Sequence, residues 1–308
     1  MKPSFDVQSV VSALSQVRQK WRASQQRNTE PGGRELPSRD ALSHIIAGLR
    51  GALFPMRLGP HDLHQESEDF YVGHTLDTVL HALWHQVVLE LRHASKHDDS
   101  IHHDASIEAH ALSLVREFSQ ALPEVRSLLD SDVIAAFEGD PAARSVDEVL
   151  LCYPGIEAMI HHRLANRLYK LGVPLLARLV AELAHAQTGI DIHPGASIGP
   201  GFFIDHGTGV VIGETAVIGK RVRVYQAVTL GAKSFPTDAH GHPIKGLPRH
   251  PTLQDDVVIY AGATVLGCVT IGQGATIGGN VWVTHDVPSG AHLTQARSLR
   301  DEQAVSVS

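Results

Sequence analysis

Only two cysteines, Cys152 and Cys268, occur in 308 residues, far apart and at no metal-ligand spacing. Their scarcity excludes a disulfide framework and makes a reducing compartment the expectation. Basic residues are also few: 26 Lys and Arg stand against 33 Asp and Glu, a net charge of −7, with no dense basic cluster. Nucleic acid as a main partner is thereby excluded, because phosphate contacts need clustered Lys and Arg. No run of about 18 uninterrupted apolar residues occurs anywhere, and the N-terminal MKPSFDVQSVV has no long apolar stretch. Neither a membrane span nor a secretory leader is expected, and the chain reads as cytoplasmic.

The residues present, 43% of them hydrophobic, suffice for one large or two ordinary cores. Val7, Val10, Val11, Leu14, Val17 and Trp21 stand at helical spacing and predict a short amphipathic helix. Asn28 to Pro37 has linker composition. Ser38 can cap a helix running towards Phe54, broken by Pro55, Gly59 and Pro60. Further helices are predicted at 75–95, 106–121, 124–137, 154–171 and 174–187. The expected plan is an N-terminal segment and linker (1–37), an α-helical domain (38–189), a β-domain (190–290) and a tail (291–308).

From 192 to 287 the pattern changes. Ile192, Ile198 and Ile204, then Ile212, Ile218, Val224 and Leu230, then Leu253, Ile259, Val265, Ile271, Ile277 and Val283 recur every six residues, with two interruptions. Four residues after each stands mostly Ala or Val, and one residue after it often Gly, as at Gly199, Gly213 and Gly219. Helices recur every three to four residues and strands every two, so a strict six predicts a hexapeptide β-helix. Each unit contributes one short strand and one corner, with Gly allowing the turn, and the thirteen units make about four triangular coils.

Histidine is abundant, at 21 residues, and His81 with His85 and His93 with His97 stand at i, i+4. A zinc site needs a third or fourth ligand, and no HExxH-type base accompanies them, so no metal is expected.

The repeat breaks at Asp205-His206-Gly207-Thr208-Gly209 and again in the loop from Gly231 to Pro251, GAKSFPTDAHGHPIKGLPRHP. A coil has no structural use for such insertions, and departures from a scaffold's repeat are where function is grafted. Around these breaks stand Asp140-Pro141-Ala142, Asp191-Ile192-His193-Pro194, the run from Asp205 to Ala216 (DHGTGVVIGETA), Val228-Thr229-Leu230-Gly231 and Arg249-His250-Pro251. In order and spacing these resemble the serine O-acetyltransferases of cysteine biosynthesis, over residues 138 to 288.

The resemblance implies an α+β protein, a helical domain followed by a left-handed parallel β-helix, that transfers acetyl from acetyl-CoA to the hydroxyl of L-serine. His206 matches the family's general base and Asp191 the carboxylate that orients it. Asp140, Asp205, Arg249 and His250 match the amino-acid site, where carboxylates hold the ammonium and Arg249 grips the carboxylate. Gly231, Ala232, Ala261, Thr276 and Gly279 match the acetyl-CoA groove, with Thr276 where enterobacterial-type enzymes carry a lysine. Lys233 and Lys245 are candidates for the cofactor's phosphates. The family also implies feedback inhibition by L-cysteine, and homotrimers or hexamers with active sites between subunits. The C-terminal AVSVS lacks the isoleucine with which relatives dock into cysteine synthase, so that complex is not expected. Other readings of the same scaffold are an acyltransferase acting on a sugar or a different amino acid, and a metal-dependent hydratase resembling γ-type carbonic anhydrases. The latter needs three converging histidines, and of those near the breaks only His206 and His250 stand out with any clarity.

Overall fold

The six-residue beat sets the architecture of the C-terminal half. In the computed structural model, which describes residues 5–25, 36–95, 104–234, 237–238, 241–242, 244 and 246–295, it appears as two- and three-residue strands. In chain order these are β1 Asp191–Ile192, β2 Ser197–Ile198, β3 Phe203–Ile204, β4 Val211–Ile212, β5 Val217–Ile218, β6 Arg223–Val224 and β7 Thr229–Gly231. After the loop come β8 Thr252–Leu253, β9 Val258–Ile259, β10 Thr264–Leu266, β11 Thr270–Ile271, β12 Thr276–Ile277, β13 Trp282–Val283 and β14 His292–Leu293. Strands three apart pair in parallel, except that β14 pairs with β12, giving three sheets: β1-β4-β7-β10-β13 (face A), β2-β5-β8-β11 (face B) and β3-β6-β9-β12-β14 (face C). This is a left-handed parallel β-helix. Of the thirteen aliphatic positions all but Ile198 are buried, so the beat marks the prism's interior. Backbone groups bond from coil to coil, as Asp191 N–H to Val210 O and Val211 N–H to Val228 O, which meets the obligatory pairing of buried amides. β14 carries the prism past residue 290, to Leu293.

The glycines after the aliphatic positions serve close packing and not, as the sequence suggests, the turn. Gly199 and Gly219 have negative φ, but a Cβ on Gly199 would lie 2.6 Å from Gly219 O, and one on Gly219 2.5 Å from Asp255 Oδ1. The left-handed residues stand elsewhere in the corners, and several are not glycine: Arg221 and Asp256, one coil apart, have φ of 53° and 62° and form a bidentate ion pair.

The helices are α1 Val7–Ser24, α2 Arg39–Leu53, α3 Pro55–Leu58, α4 Glu68–Ser95, α5 Asp104–Gly139, α6 Val146–Cys152, α7 Pro154–Lys170 and α8 Pro174–Thr188. The chain forms two compact units, Met1–Glu35 and Leu36–Ser308, so α1 stands in a unit of its own. Two differences from the sequence reading have physical causes. The helices predicted at 106–121 and 124–137 are one, with Pro123 inside it. The buried face Val115, Phe118, Leu122, Val125, Leu129 and Val133 runs through the proline. Burying six such side chains at about 1.5–3 kcal/mol each outweighs the roughly 3 kcal/mol that an interior proline costs. The helix predicted from 75 starts at Glu68, where Glu68 and Asp69 place acidic groups in the first turn.

Helices α5, α7 and α8 pack on the first coil. A Cβ on Gly155 would overlap Ile204 O, and one on Gly139 would overlap the Arg223 guanidinium, so both glycines permit the close approach of α7 and α5 to face C. Asn166 donates to Pro194 O (2.8 Å) and Ala196 O (3.0 Å) at the first corner. Buried Glu90 on α4 accepts from the N–H groups of Leu175 and Leu176, both at 2.8 Å, satisfying the free N-terminus of α8.

α7 also buries His162, whose pKa falls to about 3 because burial disfavours its charged form and Arg163 stands beside it. The unfolded imidazole takes a proton near its ordinary value of about 6.5 while the folded one does not. Between about pH 6.5 and 3 the unfolded state therefore holds more protons, and stability falls as pH drops. The melting temperature is expected to decline from pH 7 to 4.5, and His162→Leu to decline less steeply. Parallel curves for the two proteins would refute the assignment to His162.

Candidate active site

The first break in the repeat lies at the corner between faces C and A, where β3 hands over to β4. His206 there has a left-handed backbone, φ 59°, followed by Gly207 at φ 89°. A Cβ on Gly207 would overlap the Ile190 side chain, so the turn is held from beneath by the core. Such a backbone is uncommon outside glycine and at functional sites carries strain of order 1–3 kcal/mol. Its consequence is presentation: the His206 side chain is 71% exposed, while Asp205 beside it is only 17% exposed. The Nε2 of His206 lies 3.8 Å from Asp205 Oδ1.

Asp140, which follows the last residue of α5, reaches the same corner. One carboxylate oxygen accepts from the Tyr153 hydroxyl at 2.5 Å, the other from Ala142 N–H at 2.8 Å. The tyrosine bond, then the backbone bond, holds the Asp140 carboxyl below its usual range, with His206 and Arg223 adding smaller effects. Tyr153 is pushed up to about 12, chiefly by the same bond. Arg223, in the coil above Phe203, places its guanidinium 5.2 Å from the Phe203 ring centroid and so completes the wall on this side.

Arg249 and His250 are at a different corner, between faces A and B. Arg249 pairs with Glu214 Oε2 at 2.5 Å, and Glu214 Oε1 accepts from the Tyr169 hydroxyl at 2.7 Å. Thr215 fastens the end of the loop: its hydroxyl accepts from Arg249 N–H at 2.9 Å and from His250 N–H at 3.2 Å. The Thr215 backbone N–H donates to His250 Nδ1 at 3.1 Å. The His250 ring lies over Gly213, where a Cβ would overlap it, which is why glycine stands there. Burial, then Arg249, lowers the His250 pKa to about 4, so its imidazole is neutral at pH 7.

The predicted residues thus fall into two groups. Asp140, Asp205 and His206 share the C/A corner; Arg249 and His250 share the A/B corner, at the other edge of face A. The groove residues divide likewise. Ala261 and Gly279 stack in adjoining coils above His206 at the C/A corner, a Cβ on Gly279 standing 3.2 Å from Ala261 O. Gly231 and Ala232 stand at the A/B corner, and Gly231 lies against Leu266 of the next coil. Thr276 is on face C, in register with Val258 and His292. Lys233 packs beside Gly267, whereas Lys245 lies outside the described residues, as does the C-terminal AVSVS. Asp191 stands at the start of face A, and no ion pair within 4.0 Å joins it to His206. Its carboxylate groups with Glu182 and His185 of α8, ligand atoms within 4.8 Å of one another. Glu182 also pairs with Arg178 at 2.5 Å.

Sequence reasoning misses Tyr153, Tyr169 and Arg223, because only the docking of α7 on the first coil and the stacking of coils bring them here. Glu214 and Thr215 stand within the motif that runs from Asp205 to Ala216, and that motif is their signal.

Known proteins resemble this chain in sequence and fold. The family described as "Bacterial transferase hexapeptide (six repeats)" matches residues 250–285. A plasmid serine acetyltransferase of Synechococcus elongatus is 53% identical over 98% of this chain and 94% of its own length. The serine acetyltransferase of Bacillus subtilis is 50% identical over 52% of this chain and 70% of its own. Among solved structures, Entamoeba histolytica serine acetyltransferase 1 in complex with L-cysteine aligns with TM-score 0.70 and 38% identity, covering 82% of this chain and 86% of that one. The Neisseria gonorrhoeae enzyme in complex with serine aligns with TM-score 0.52 and 28% identity, covering 83% and 95%. With a helical layer, a hexapeptide prism and a relative similar over nearly its whole length, this chain belongs to the serine acetyltransferase family.

Proposed function

We propose that the protein transfers the acetyl group of acetyl-CoA to the hydroxyl of L-serine in a ternary complex, with His206 as general base. The observation that carries this reading is the exposed imidazole of His206, on a left-handed turn, beside the carboxylates of Asp205 and Asp140. An alcohol is a weak nucleophile near neutral pH, so a base must take its proton as the oxygen attacks the thioester carbonyl. His206 then returns that proton to the departing thiolate. Asp140, held ionised by Tyr153 and Ala142, and Asp205 are suited to the ammonium of serine. Arg249 is suited to its carboxylate, with Glu214 and Thr215 fixing its position. The resemblance assigns Asp191 to orient His206, although its carboxylate here groups with Glu182 and His185.

Two edges of one face cannot enclose one serine. The site is completed when the C/A edge of one copy meets the A/B edge of the next, which closes as a homotrimer, and the helical layer offers a surface for pairing trimers into hexamers. Acetyl-CoA then lies along the same seam, past Gly231 and Ala232 of one copy and Ala261, Thr276 and Gly279 of the other. L-cysteine, with the same ammonium and carboxylate as serine, fits this site as an inhibitor. A cytoplasmic location accords with two free cysteines. Among the described residues no helix is long and apolar enough to cross a membrane.

Thiol release from acetyl-CoA, measured with L-serine, L-homoserine and an amino sugar, tests the reading. Release dependent on serine is expected. Release with the sugar alone would sink the substrate assignment while leaving the fold intact.

A further inference from the structure

The coil above His206 carries a polar group that the mechanism leaves idle. Counted forward from β3 and β6, which pair Ile204 with Val224, Gln226 stands over His206; counted back from β4 and β7, which pair Ile212 with Leu230, it stands over Thr208. The extra residues of the Asp205–Gly209 turn lie between those two positions, and Thr208 O accepts from Ala227 N–H at 2.9 Å. Gln226 is therefore the first residue above the base at the C/A corner. The prism does not require an amide there, since Ala261 and Gly279 hold the same place in the next two coils. Beside it Tyr225 packs face to face on Tyr260, ring centroids 5.0 Å apart and planes 10° from parallel, so this stretch of the corner is held in place. Gln226 Oε1 is buried, yet it has no hydrogen-bond donor among the described residues. A buried acceptor without a donor costs stability, and its retention calls for a donor that the free chain does not supply.

We propose that Gln226 accepts a hydrogen bond from the amide N–H of acetyl-CoA nearest the thioester sulfur, and so sets the acetyl carbonyl beside His206. This rests on the acetyl-transfer reading above. Donors near the reacting atoms are few. Asp140 and Asp205, being carboxylates, attract the ammonium of serine more strongly than a neutral amide does, and His206 takes the hydroxyl proton. The donor that remains is the amide N–H of the thioester arm, separated from the sulfur by a short methylene spacer. Its path also fits: an arm that leaves His206 along Ala261 and Gly279 passes Gln226 first. An anchor so close to the sulfur fixes the approach of the carbonyl to the attacking oxygen, whereas contacts further along the arm add affinity alone.

Three thioesters test this, each with L-serine: acetyl-CoA, S-acetyl-N-acetylcysteamine, which keeps the amide, and the analogue of the latter with an ester oxygen in place of the N–H. The unmodified protein is expected to favour the amide over the ester by about tenfold in kcat/KM, and Gln226→Met, similar in length but without the carbonyl acceptor, to favour neither. Gln226→Glu keeps an acceptor and should keep the preference. An equal preference in the unmodified protein and Gln226→Met would overturn the proposal while leaving acetyl transfer standing. No thiol release from acetyl-CoA by the unmodified protein would overturn both. Without ligand, Gln226→Met should melt no lower than the unmodified protein, because the unpaired oxygen is gone. A lower melting temperature would show that the amide already has a partner in the free protein, and would overturn the proposal as well.

Discussion

His206→Ala is expected to lower kcat by roughly 10²- to 10⁴-fold, the scale on which a positioned general base contributes, while the KM for serine changes little. The separation follows from the geometry. The groups suited to the ammonium and carboxylate are Asp140, Asp205 and Arg249, and two of the three are held in place by residues other than His206. Asp140 is fixed by Tyr153 and Ala142, and Arg249 by Glu214 and Thr215. Removing the imidazole therefore leaves binding in place and removes only what happens in the transition state. Steady-state kinetics with both substrates varied makes the check. A loss below tenfold would sink the role given to His206, and a serine KM that rose with kcat unchanged would make it a binding residue. His206→Gly needs the same measurement, because the left-handed backbone suits glycine and any strain at φ 59° is relieved while the base is lost.

The prism was legible because the requirement behind it is strict. An interior three strands wide admits one aliphatic side chain per strand, so every sixth residue is constrained and little else is. The same strictness made the interruptions at Asp205 and after Leu230 visible. What the sequence could not convey is how small residues are used. Gly199 and Gly219 look like turn glycines, yet they are small because the next coil's backbone lies on them, while Arg221 and Asp256 take the left-handed corners. Nor could Pro123 be seen to lie inside a helix, since the burial that outweighs it depends on partners distant in sequence. The contacts around the candidate site have the same origin. Tyr153 meets Asp140, and Tyr169 meets Glu214, only because α7 docks on the first coil. The division of the residues between two edges of face A is a property of strand order, which no single motif displays.

The docking of the helices on the first coil depends on one buried ion pair, and breaking it should destabilise the protein more than any other polar substitution outside the prism. Arg163 on α7 and Asp132 on α5 are 5% and 0% exposed. The guanidinium is bidentate, Nε at 3.0 Å and Nη2 at 2.9 Å from the two carboxylate oxygens. Its remaining donors reach Ile198 O at 2.5 Å and Gly199 O at 2.7 Å, and Asp132 also accepts from Phe202 N–H at 2.9 Å. The pair thus joins two helices to the corner between faces B and C. Arg163→Met would leave an unpaired carboxylate and two unpaired carbonyls in the interior, a loss of about 3–5 kcal/mol. For a chain of this size that lowers the melting temperature on the order of 10 °C. Arg163→Met/Asp132→Leu removes both charges and should recover part of the loss, because the pair's own attraction is largely offset by the cost of burying it. A single variant within about 1 kcal/mol of the parent would show that water reaches the site and that the helices are held by apolar packing alone. Asp140 and Tyr153 ride on the chain segments that Arg163 fastens, so a loosened α7 should raise the serine KM at temperatures well below unfolding. A double variant that recovered stability but not serine affinity would mean the guanidinium sets the position of α7 as well as its stability.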